Sequence, residues 1–320
     1  MRITIHNDDE LQLFINKKNK NKLITNLIIN YCKNLTPYSL THICGHLRAL
    51  TKLKIDNCNN LTHLPKNLCR LHALTTLKIN YCDNLTHLPD SIGKLRPLTS
   101  FEIYNCYKLK HLPDSFSNLR MLSTLTIFNC SNITNLPESF GNLSALTTLN
   151  IECCNLTHLP ESFGNLCALI TLNIEFCNLT HLPESFGNLC ALTTFNIYGC
   201  NELTHLPDSI GNMRALTTLN IRHNKNLTHL PDSMCQLQAL TTLEINNCKK
   251  LIHTLLPNSI CFCKNLQQIC ISNINMLPPS MILLEKLNDI IVIHNNEEKT
   301  MHNINEMRLR WYRILKTICI

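Results

Sequence analysis

Two residue types recur in this chain at spacings that invite chemistry. Nine of its 19 cysteines (Cys32, Cys58, Cys82, Cys106, Cys130, Cys154, Cys177, Cys200 and Cys248) follow one another at steps of 23 to 26 residues, with Asn224 filling the one gap and Asn295 taking the same place later. Disulfides are a poor fit to such a column. Copies of one position on neighbouring strands keep parallel Cβ vectors ~4.8 Å apart, whereas a bridge needs Cβ atoms ~3.8 Å apart. A zinc site is a poor fit too, because neither the column nor the cluster His253, Cys261, Cys263 and Cys270 contains a C-x-x-C pair. No metal and no cofactor are expected. Histidine forms the second column, the H of L-T-H-L-P at His63, His87, His111, His158, His181, His205, His229 and, irregularly, His253, with Asn135 interrupting it. Lying between two inward leucines, it points outward, ~5 Å from its copies. Such a stripe is either a solvated polar filler or a ribbon that repels itself once its imidazoles charge, below about pH 6.5. The motifs of nucleotide-binding loops, zinc proteases and serine hydrolases are missing, and acids and bases are scattered singly, so no enzyme is expected.

Both columns are products of an internal repeat. Segments such as LHALTTLKINYCDNLTHLPDSIGKL (71–95) and LSALTTLNIECCNLTHLPESFGNL (143–166) recur from Ile24 onward at steps of 21 to 26 residues, giving twelve units. In LTTLNI apolar residues alternate, which marks a short strand with one buried face. Strands repeating in one direction must lie parallel, with a crossover in every unit. The return LPDSFGNLRAL is too short for a long helix and reads as a 3₁₀ or one-to-two-turn helix.

The unit L-x-x-L-x-I-x-x-C-x-N-L-T-H-L-P-x-S-F-G-N-L-x-A resembles a leucine-rich repeat (LRR). Its L-P-x-S-[FI]-G-N-L half is similar to repeats of plant disease-resistance proteins and of cytosolic Ras-pathway scaffolds. The first unit, CKNLTPYSLTHICGHLRALTKLKIDNC (32–58), resembles the cysteine-containing repeats of F-box proteins. The resemblance implies an α/β repeat fold, a curved solenoid with a concave parallel sheet and short helical or 3₁₀ returns on the convex side. It also implies a role for the cysteines. The family usually has Asn there, bonded to backbone groups left open where the strand turns, and the thiols of Cys58, Cys82, Cys106, Cys130, Cys154, Cys177, Cys200 and Cys248 would donate to the same carbonyls more weakly. The expected organisation is an irregular N-terminal cap at 1–23, where 2–5 and 11–15 would make a hairpin or irregular strand. A solenoid at 24–296 and an amphipathic capping helix at 297–320 follow. Met307, Trp311, Ile314, Leu315 and Ile318 share one face of that helix.

The frame is constant while the outward residues vary, as a binding surface would. Lys54, Lys78, Tyr81, Glu102, Tyr104, Phe128, Glu152, Glu175, Phe176, Tyr198, Arg222 and His223 combine aromatic and charged groups in the manner of protein-interface anchors. Net charge is +7, but residues 61–296 balance fifteen basic against fifteen acidic groups. A nucleic-acid partner is therefore not expected, nor is membrane insertion. A monomeric, non-enzymatic protein-interaction scaffold in signalling or host interaction is the reading these features favour. A ubiquitination adaptor and a pH- or metal-responsive sensor are the alternatives. Free thiols and the lack of a signal-like N-terminus suggest the cytoplasm, or a host's cytoplasm if the source is an intracellular bacterium or virus.

Overall fold

The computed structural model describes residues 1–16, 23–251, 256–273, 276–294 and 297–301. These fall into two compact units, 1–166 and 167–320. In the first, β1 (Arg2–Ile5), β2 (Asn26–Asn30), β3 (Lys52–Asp56), β4 (Thr76–Asn80), β5 (Ser100–Tyr104), β6 (Thr124–Phe128) and β7 (Thr148–Glu152) pair in chain order, all parallel. In the second, β8 (Thr171–Glu175), β9 (Thr194–Tyr198), β10 (Thr218–Arg222), β11 (Thr242–Asn246), β12 (Gln268–Ile271) and β13 (Asp289–His294) do the same. A 3₁₀ turn separates most consecutive strands, and each unit has the build of a curved solenoid.

Register follows from the apolar alternation. Leu53, Leu77, Phe101, Leu125 and Leu149 stack along one buried row and Ile55, Ile79, Ile103, Ile127 and Ile151 along the next, all at 0–1% exposure. A one-residue slip would turn both rows outward, so burial fixes the pairing. The returns begin after a proline whose φ lies near −70°, for example Pro89 at −72° and Pro160 at −68°. They place Phe116, Phe140, Phe163 and Phe186 in the core, with Phe140 and Phe163 stacked at 6.0 Å. Glycine in these returns is a matter of space. A Cβ on Gly93, Gly141 or Gly211 would lie 2.0, 1.8 or 2.3 Å from the serine carbonyl oxygen of the next return.

The ends differ from expectation. Residues 2–5 form no hairpin: β1 is a further parallel strand beside β2, and 8–16 form helix α1 (Asp8–Asn16). Local capping explains the helix. The Asn7 side chain accepts from the Glu10 N–H at 2.9 Å, the Glu10 carboxylate accepts from the His6 N–H at 2.8 Å, and Asp8, Asp9 and Glu10 oppose the positive end of the helix. Helix α2 (Pro37–His46) replaces a 3₁₀ turn in the long first unit, capped by Thr36 and started by Pro37. At the other end, residues 297–301, expected as the start of a helix, form β14 (Glu297–Met301), which pairs antiparallel with β13. The proposed helical face from Met307 to Ile318 lies outside the described residues, as do His253 and Asn295.

Candidate interaction surface on the strands

Where Leu and Ile point inward, the residues between them face outward in register, and the expected site residues fall into two groups, one per unit. In the first unit Lys54 contacts Asp56 at 2.5 Å, Lys78 reaches Glu102 at 2.8 Å, and the Tyr104 hydroxyl lies 3.5 Å from the Glu102 carboxylate. Tyr104 packs against Phe128 with ring centroids 5.8 Å apart, and Glu152 is the register partner of Phe128. Burial, and then the charge of Glu102, hold the Tyr104 phenol above its ordinary range. Lys54 and Lys78 are therefore both paired with carboxylates.

Glu175, Tyr198, Arg222 and Asn246 are register neighbours on β8 to β11. Phe176 meets Tyr198 edge-on at 4.9 Å, Tyr198 meets His223 at 4.8 Å, and the Arg222 guanidinium lies 5.8 Å from the Tyr198 centroid. The His223 ring is 3.1 Å from the Asn247 amide. Burial, with the charges of Arg222 and Lys225, lowers the His223 pKa, so this ring is neutral near pH 7. These side chains line a cleft of about 540 Å³.

Tyr81, Phe176 and His223 are not strand residues, as their outward pattern suggested. Each sits one position past its strand in the left-handed region, at φ 50°, 51° and 59°. The same turn recurs at Tyr31, Asn57, Asn105, Asn129, Cys153, Gly199 and Asn247. Asn and Gly adopt this conformation cheaply, whereas a bulky side chain carries strain of order 1 kcal/mol or more. The recurrence of Asn, with one Gly, at this column was the available signal. Gly199 has a further role: the space its Cβ would take is filled by the Phe176 ring, 2.8 Å from the ideal Cβ position. Only glycine there lets Phe176 lie across to Tyr198.

The cysteine column lies directly beneath. Cys58, Cys82, Cys106, Cys130, Cys154, Cys177, Cys200 and Cys248 are all 0–2% exposed. Each thiol lies near the carbonyl two residues earlier, as Cys58 to Asp56 at 3.3 Å, Cys82 to Asn80 at 3.4 Å, Cys130 to Phe128 at 3.5 Å and Cys177 to Glu175 at 3.4 Å. Several also approach a carbonyl of the preceding repeat, as Cys106 to Ile79 at 4.0 Å and Cys248 to Ile221 at 3.3 Å. Every described cysteine is a free thiol. Burial pushes the Cys82 pKa up to about 12 and those of Cys130 and Cys248 to about 11.

The histidine stripe forms an exposed edge. His63 and His87 are joined by a parallel bridge and their rings stack at 5.1 Å, while His205 and His229 stack at 6.3 Å. The Thr86 hydroxyl donates to the Thr62 carbonyl at 3.1 Å, so at 2.9 Å from His87 Nδ1 it must accept from that ring. No group of three or more metal-ligating side chains is found among the described residues.

The family profile described as Leucine rich repeat matches residues 190–251, and a second, described as Leucine Rich Repeat, matches 145–166 and 168–189. Among solved structures, the chain is similar to the leucine-rich repeat domain of the type III effector XopL, with 27% identity, TM-score 0.59, and coverage of 65% of this chain and 71% of that one. It is also similar to an internalin of Listeria monocytogenes (17% identity, TM-score 0.57, 83% and 73% covered) and to a TDR receptor (20%, 0.61, 92% and 50%), likenesses of fold. No curated protein sequence matches it. The repeat geometry and these matches define a solenoid repeat protein of the interaction-module type. The chain is a leucine-rich repeat protein.

Proposed function

We propose that this leucine-rich repeat protein is a non-enzymatic scaffold that binds a protein partner through its outward strand residues. The observation that carries the reading is the cluster of Phe176, Tyr198, Arg222 and His223, where rings are pre-assembled and two residues of the cluster sit in a strained left-handed turn. Strain kept at a solvent-accessible position where four other repeats use Asn and one uses Gly favours binding over stability as its reason. Leucine-rich repeats serve widely as interaction modules, and pre-ordered aromatic and arginine side chains are what interface centres use. The similarity to the repeat domain of a type III effector supports a host-directed role, with the cytoplasm, the cell's own or a host's, as the place of action. A ubiquitination adaptor, suggested by the cysteine-containing first unit, is a variant of this reading.

Affinity capture with the wild type beside a Tyr104/Phe128/Phe176/Tyr198→Ala variant tests it. The variant is expected to lose the partner, and retention of every partner would refute the surface. A sensor role has one observation in its favour, the stacked His63 and His87. It requires the melting temperature to change between pH 7.5 and 5.5, or on adding zinc, and a flat profile in both would dispose of it.

A further inference from the structure

The charges of the second unit's strand face are spaced for a particular kind of ligand. Glu175 and Arg222 occupy the same register position two strands apart, with Tyr198 between them. At ~4.8 Å per strand they stand ~10 Å apart. Among the described residues Glu175 has no ion-pair partner for its carboxylate, while Arg222 holds a loose 3.5 Å ion pair with Glu244 in which its Nε makes no hydrogen bond, so an acidic ligand group at Arg222 would compete with Glu244. Beside this row Phe176 lies over Gly199 and closes against Tyr198, with His223 on the far side, so the middle of the row is a fixed aromatic platform.

A ligand crossing the strands must present a basic group, an apolar middle and an acidic group over ~10 Å. A β-strand repeats its face every two residues, at ~7 and ~13 Å, and misses this distance. A polyproline-II segment repeats its face every three residues at 3.1 Å each, about 9 Å, and such segments dock onto aromatic-lined grooves with little loss of entropy. A helix would need charges seven residues apart.

We propose that this face takes an extended, polyproline-II segment of a partner protein with basic and acidic side chains three residues apart, the basic one against Glu175, the acidic one against Arg222 and proline or another apolar residue over Tyr198. The assignment rests on the interaction reading above and names the partner's chemistry.

Selection of a displayed random dodecapeptide library on the full chain tests it, run in parallel on a Glu175→Arg/Arg222→Glu variant and a Phe176→Ala/Tyr198→Ala variant. On the wild type, enriched peptides are expected to share one basic and one acidic residue three apart around proline or apolar residues. The charge-swapped variant should enrich the opposite order, each peptide binding its non-cognate protein roughly tenfold more weakly, and the aromatic variant should enrich neither. Should the swap lower the melting temperature, Glu175→Gln and Arg222→Gln singly must each abolish preference for one sign. Peptides that need Tyr198 but show charges seven apart, or no charge pattern, would overturn the assignment and leave the interaction surface standing. Enrichment of nothing that depends on this face would overturn both.

Discussion

Asn224 provides a graded test of how the column under the turns holds successive repeats together. It takes the place that cysteine takes in the neighbouring units, at 0% exposure. Its amide donates to the Ile197 carbonyl at 3.0 Å while its oxygen accepts from the Cys200 N–H at 2.8 Å. Asn224→Ala removes both bonds and leaves a buried carbonyl and a buried N–H unpaired, each costing ~1–3 kcal/mol, or ~2–6 kcal/mol together. Asn224→Cys should cost less. A thiol in this column reaches the equivalent carbonyl, at 3.3 Å for Cys248 and Ile221 and 3.9 Å for Cys200 and Ile174. Only the acceptor for the Cys200 N–H is then lost, ~1–3 kcal/mol. Urea unfolding followed by far-UV circular dichroism reads the totals, and amide exchange reads protection at Cys200, since neighbour interfaces carry a solenoid's stability. Equal losses for the two substitutions, or no loss in either, would refute the hydrogen-bonding account of the column.

Three further outcomes are expected. Gly211→Ala drives a Cβ to within 2.3 Å of the Ser233 carbonyl oxygen, so the next return must shift, and the urea midpoint should fall by an amount equivalent to ~1–3 kcal/mol. His223, with its pKa lowered in the fold, contributes a pH dependence of known sign: as pH falls through the ordinary imidazole range the unfolded chain takes the proton first, so stability is lost on acidification and is fully present above that range. A thermal melt of His223→Gln should lack that part of the acid sensitivity. Treatment with a thiol reagent at pH 8 should modify the exposed Cys167 and Cys190 and spare Cys82, Cys130 and Cys248, as peptide mass mapping would show; labelling of the column in the folded chain would contradict its burial.

The repeating frame was legible because one period-two segment, L-x-I, and one return, L-P-x-S-F-G-N-L, recur with little change. Burial then leaves a single register for residues such as Leu77 and Ile79. Three features were not legible for physical reasons. The left-handed turn at Tyr81, Phe176 and His223 was hidden because these residue types argue against positive φ, and only their Asn and Gly counterparts report it. Residues 2–5 were legible as a strand but not as a parallel partner of β2, and helix α1 was missed because a cap made by Asn7 and Glu10, rather than the repeat motif, organises that segment. The grouping of outward residues was invisible too. Lys78 pairs with Glu102 and Arg222 with Glu244, while Glu175 and Arg222 stand two strands apart across Tyr198, and strand register rather than composition decides which happens.

The most direct measurement of the interaction surface is site-specific photocrosslinking. A benzoylphenylalanine placed at Tyr198 reports from the strand face, and one at Met121, which is 58% exposed in a return, reports from elsewhere on the molecule. The same partner protein should be captured from position 198 and not from position 121. Capture from 121 with none from 198 would contradict the claim that the strand face is where this protein binds.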